Sequence, residues 1–109
     1  MKLNKDLMSN VLEIPISYFN DIEDNNILMR IRIDFSISKY ELMHKMKQYI
    51  LSKGYISSTI IYSDTVFCRC ENYDTGELIK PTPRGNDEFE AVYNAVDYII
   101  KELNNDKLS

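Results

Sequence analysis

Apolar side chains recur along this chain with two different periods, and the period predicts the element. Leu3, Leu7, Met8, Val11 and Leu12 form one stripe at helical spacing, which predicts a helix over 3–12. Pro15 stops it, because proline disfavours a helical residue before it. Residues 16–19 read as a short strand, and the polar, acidic run 20–26 as a loop whose Asp and Asn residues bond their own backbone. That loop lacks the central Gly and distal Glu of a calcium loop. From Ile27 to Phe35 the period changes. Ile27, Met29, Ile31, Ile33 and Phe35 alternate with Leu28, Arg30, Arg32 and Asp34, which predicts a strand with one apolar face. Arg30 and Arg32 then project together from its other face, to hold an anion or to pair with Asp34 or Glu71.

A helix over 38–53 follows. Ser38 and Glu41 form a capping box, and Ile37 with Leu42 a hydrophobic staple. Leu42, Met43, Met46, Tyr49 and Ile50 make its apolar face, and Gly54 supplies the left-handed residue past its end. Residues 55–62 and 65–72 are rich in β-branched and aromatic residues and predict two strands about a Ser63-Asp64 turn. Val66, Cys68 and Cys70 share the core face of the second; Phe67, Arg69 and Glu71 share the other. Asp74-Thr75-Gly76 reads as a hairpin loop leading into a strand over 77–80. Two prolines then make 80–86 a stiff connector. The last helix spans 87–103, with Asp87 and Glu90 as its capping pair. Its apolar face is Phe89, Val92, Tyr93, Val96, Ile99, Ile100 and Leu103, and 104–109 reads as a frayed tail.

These elements predict a single α+β domain over 1–109. It is a two-layer sandwich with an antiparallel sheet of about four strands (27–35, 55–62, 65–72 and 77–80) and two to three helices. The N-terminal helix occupies 1–13. A chain of 109 residues can bury a core without metal or disulfide staples.

Composition removes several classes. No apolar run approaches the ~20 residues of a membrane span, and no apolar signal core follows the N-terminus. The expectation is a cytoplasmic protein without membrane attachment. Cys68 and Cys70 are spaced so that a disulfide between them would strain a strand, so they read as buried reduced thiols. With His44 as the one histidine, no zinc set forms, and no metal or cofactor is expected. No GxSxG, HExxH, P-loop or dinucleotide motif is present, so no catalytic residue is assigned and the chain is read as non-enzymatic.

Charge divides the chain. Residues 1–54 hold eight basic and seven acidic groups, while 55–109 hold five and ten. A dipolar surface of this kind steers association and permits self-association, so a homodimer is one expected state. The acidic pole is the last helix, where Glu88, Glu90, Asp97 and Glu102, with Arg84 of the preceding loop, are the candidate partner-binding residues. The rival reading is a nucleic-acid-binding face built from Arg30, Arg32, Lys45, Lys47 and Arg69.

Element order over 38–102 matches the α-β-β-β-α core of the double-stranded-RNA-binding domain. That family's phosphate-binding lysines fall here on Asn86-Asp87-Glu88-Phe89-Glu90, whose carboxylates repel a phosphate backbone. Phe89-Glu90-Ala91-Val92-Tyr93-Asn94-Ala95, preceded by Tyr62-Ser63-Asp64 and Cys68-Arg69-Cys70, resembles the closing helix and strands of small phage-encoded α/β-sandwich proteins, over about residues 38–103. The resemblance implies a mobile-element origin and a partner-binding role, the partner being a host protein such as a defence or nucleic-acid-processing component.

Overall fold

The computed structural model describes residues 2–108; within its last helix, the side chains of 105–108 are not described. Among the described residues, four α-helices and a three-stranded antiparallel sheet make up a mixed α and β fold. Contacts group the chain into two compact units, Met1–Lys45 and Met46–Ser109, within the span read above as one domain.

Among the described residues, the regular elements of the first unit are all helices. α1 spans Lys5–Leu12, and the Asn4 side chain caps it by accepting from the Leu7 N–H at 3.0 Å. Leu3, placed at the start of this helix by its pattern, lies before the cap. It is nonetheless buried, and its N–H donates to the Asp24 carbonyl. Ile16–Phe19 is a 3-10 helix rather than a strand. Pro15 enters it with extended backbone, the Tyr18 N–H turns back to the Pro15 carbonyl, and Phe19 alone is buried. A second 3-10 turn, Asp24–Asn26, interrupts the acidic loop.

Ile27–Asp34 is α2, and the expected strand over 27–35 does not form. Buried Ile27 and Ile31 are four apart, a spacing that belongs to both periods. The intervening apolar residues that suggested alternation are left in solvent: Met29 is 54% and Ile33 65% exposed. Leu, Met and Arg are good helix formers, and Arg30 pairs with Asp34 at 3.5 Å one turn on. The Tyr18 hydroxyl donates to the same Asp34 carboxylate, and the Tyr18 and Phe35 rings meet at 5.4 Å. Burial first, then the bond to Asp34 and its charge, push the Tyr18 phenol up to about 12.

α3 spans Lys39–Ser52 and runs through the division between the units. The capping box forms as its spacing predicts: the Glu41 N–H donates to Ser38 Oγ at 3.0 Å, and Glu41 Oε1 accepts from the Ser38 N–H at 3.4 Å. Gly54, with φ of +92°, ends it.

In the second unit, β1 (Tyr55–Tyr62) and β2 (Thr65–Asn72) pair residue for residue about a turn at Ser63, whose φ is +59°. β3 is Arg84–Gly85, paired with Val66 and Phe67, and the order is β1-β2-β3. A strand over 77–80 is not present; the fourth strand is therefore missing and the sheet has three. Residues 77–83 nevertheless follow β2. The Asn72 N–H donates to the Glu77 carbonyl, the Ile79 N–H to Cys70, and the Cys68 N–H to Pro83. Pro81 and Pro83 have no N–H to give, so the ladder breaks where they stand and resumes at Arg84.

α4 spans Glu88–Leu108, and the Asp87 carboxylate caps it by accepting from the Glu90 N–H at 2.8 Å. The backbone stays helical through the region expected to fray, with Ser109 outside the described residues. α4 lies against β2 and β3. Phe89, Val92, Ala95, Val96 and Ile99 of α4 are buried, as are Val66, Cys68 and Cys70 of β2. Gly85 lets the two elements meet: an added Cβ there would stand 2.7 Å from the Ala91 nitrogen. Among the described residues, no helix is long and apolar enough to cross a membrane.

Candidate protein-binding groove

Helical spacing places Asn94, Asp97, Tyr98 and Lys101 in one row along α4, at i, i+3, i+4 and i+7. The segment Pro81–Arg84 runs beside that row, bonded to it through Asn94, and Phe67 of β2 completes the lining. Together they line an open groove of about 650 Å³. The segment is tied on both sides. Its Pro83 carbonyl accepts from the Cys68 N–H at 2.8 Å, and its Arg84 carbonyl accepts from Asn94 Nδ2 at 2.7 Å. Two prolines and these two bonds hold the wall in place before any ligand arrives, which lowers the ordering cost of binding.

The groove is chemically mixed. Lys101 Nζ donates to Asp97 Oδ2 at 2.8 Å, and the bond and the carboxylate's charge raise the Lys101 ammonium above its ordinary range. Burial first, then the Glu102 and Tyr55 side chains, raise the Tyr98 phenol. Arg84 is exposed on the opposite wall. Phe67, Tyr98 and Pro81 supply apolar contact area, Pro83 being buried, and Arg84, Asp97 and Lys101 supply charges of both signs.

Of the five acidic-pole candidates, the structure brings two into this groove, Arg84 and Asp97. Glu88 instead pairs with Lys47 at 3.5 Å. Glu90 sits in the capping turn, half-buried, and Glu102 is exposed. At about 100° per residue, Glu90 and Asp97 share one side of α4 while Glu88 and Glu102 share another. The four carboxylates do not form one face. Phe67, Asn94, Tyr98 and Lys101 went unassigned in the sequence. Only their position beside the 81–84 segment marks them, although the helical spacing of the last three was readable.

The basic candidates do not assemble either. Arg30 and Arg32, two apart on a helix rather than a strand, point to opposite sides of α2, and so do Lys45 and Lys47 on α3. Arg30, Lys47 and Arg69 each face a carboxylate, on Asp34, Glu88 and Glu71 respectively. Arg32 lines a second hollow, of about 640 Å³, in the first unit with Met29, Ile33 and Ile37. Two of the polar groups lining that hollow, Ser38 and Glu41, are engaged in capping α3. Lys45 is exposed.

Cys68 and Cys70 are free and buried, with their sulfurs 3.8 Å apart on one strand face. Their contact holds the Cys70 thiol far above its ordinary range, and burial adds to this. The same contact draws the Cys68 thiol down against the effect of burial, aided by the Lys47 ammonium. Among the described residues, no group of three or more metal-binding side chains forms. Comparison with protein-family models, with curated proteins and with solved structures finds no match to this chain.

Proposed function

We propose that this chain is a small, non-enzymatic protein-binding module that takes an extended polypeptide segment into the groove between residues 81–84 and α4. The observation that carries the reading is the groove's composition. Two aromatic rings, two prolines and charges of both signs lie along a wall already tied in place. Binding surfaces are rich in Tyr, Phe and Arg and gain affinity when preorganised. A nucleic-acid site would need unpaired cations in a continuous patch. Three of the five basic candidates are paired with carboxylates. The resemblance to small phage-encoded proteins makes the expected partner a protein of the host cytoplasm, a defence or nucleic-acid-processing component among them.

The test is a pull-down by tagged protein, at low and moderate salt, with wild type beside two variants. One carries Arg84→Glu with Tyr98→Ala; the other carries Glu88→Lys with Glu102→Lys, which lie outside the groove. The expected result is a partner retained at moderate salt, lost with the first variant and kept with the second. Equal capture by wild type and the groove variant would overturn the proposal. Recovery of nucleic acid that moderate salt strips away would replace it with the basic-face reading.

A further inference from the structure

β1 borders the sheet, so one of its edges has no strand partner among the described residues. An open edge is a template for another strand, and proteins ordinarily guard it with lysine, proline or a bulge. β1 carries no such guard. Tyr-Ile-Ser-Ser-Thr-Ile-Ile-Tyr contains no charge and no proline, and it pairs with β2 over eight consecutive positions without a bulge. No residue in it is buried. Ile56 and Ile60 are about half exposed, and Ile61 and Tyr62 each 75%.

We propose that β1 pairs with β1 of a second copy of this chain, antiparallel about a two-fold axis at Ser58, so that two three-stranded sheets become one of six strands. The strand's own sequence selects this occupant. A two-fold axis between antiparallel strands stands perpendicular to the sheet, so each residue must meet one from the same face. With the axis at Ser58, Ile56 meets Ile60, Tyr55 meets Ile61, Ser57 meets Thr59, and Ser58 meets itself. Apolar bodies oppose apolar bodies and hydroxyls oppose hydroxyls, the pairings that stabilise neighbouring strands. An axis at Thr59 would instead set Ser57 against Ile61 and Ser58 against Ile60. Within each copy Ile60 already lies beside Phe67. The Ser58 register therefore continues Phe67 and Ile60 into Ile56 of the second copy, giving an apolar row across the seam on each side of the Ser58 pair. The contact is isologous and closes at two copies. It uses the far edge of the sheet from β3 and does not depend on the groove.

The test is sedimentation of the full chain across a concentration series up to high micromolar. A concentration-dependent dimer is expected. Ser58→Lys places two ammonium groups face to face on the axis and should weaken the dimer by about tenfold or more, with the circular dichroism spectrum unchanged. The register is read by two double variants: I56K/I60E brings opposite charges together twice and keeps the dimer, whereas I56K/I60K loses it. Ser58→Cys, oxidised, should give a chain-to-chain disulfide, since residues facing each other across a strand pair have Cβ atoms about 5 Å apart. A wild type that stays monomeric throughout, a dimer indifferent to Ser58→Lys, or a Ser58→Cys protein that stays monomeric on oxidation would overturn the proposal.

Discussion

β1 and β2 are both eight residues long, are paired to each other at every position, and are both rich in strand-forming side chains. Yet β2 buries Val66, Cys68 and Cys70, while β1 buries none of its residues and leaves three isoleucines and a tyrosine in solvent. The difference is one of position. β2 has β1 on one side, the broken run 77–85 on the other, and α4 against it. β1 has β2 alone. The more hydrophobic strand is the more exposed one. Strand propensity describes a fit to a pleated surface and does not by itself say which strand the core will cover.

Substitutions at matched depth test this contrast. The largest effect is expected from a buried charge. Cys70→Asp should cost at least about 3 kcal/mol, because the position is buried, while Ile61→Asp, at a position 75% exposed, should change stability by about 0.5 kcal/mol or less. Urea unfolding of dilute protein measures both, and equal losses would erase the distinction. Next is Gly85→Ala, which presses a methyl into the backbone at the start of α4 and should cost about 1–3 kcal/mol by the same assay. A neutral result would mean that β3 and α4 can separate freely. Val66→Ala should cost about 2 kcal/mol, and Ile60→Ala about 1 kcal/mol although it removes more carbon, since Ile60 is only half buried. The smallest effect should come from Arg69→Ala. Its partner Glu71 sits 3.7 Å away in solvent, and thermal unfolding should register about 0.5 kcal/mol or less.

Local chemistry was legible wherever a few adjacent residues settle the outcome. Ser38 with Glu41, Asp87 with Glu90, and Gly54 each mark a helix end through bonds or backbone angles that need no distant partner, and all three stand where their spacing predicts. The hairpin 55–72 was legible for the same reason. Residues 27–35 were not. Ile27 and Ile31 satisfy both periods, and the choice fell to which neighbours need burying: the structure spends Met29 and Ile33 on the surface to bury the pair. The third strand also escaped. Residues 77–80 have the composition of a strand, but the ladder that counts resumes only after both prolines, at Arg84. In the candidate site, Arg84 and Asp97 could be named from charge alone, whereas Phe67 and Tyr98 belong to it only because β2 and α4 come to lie on either side of residues 81–84.

By itself, then, the sequence determined the caps, the hairpin, the amphipathic closing helix and the buried pair of thiols. Each of these depends on residues within a turn or two of one another, or on a single strand's alternation. Only the tertiary structure decided that 27–34 is helical, that the sheet has three strands with β1 at its edge, and that the carboxylates of α4 divide between two sides while two aromatics, two prolines and mixed charges share a groove. Those outcomes depend on which surfaces compete for burial across long sequence separations, and local period and propensity carry no information about that competition.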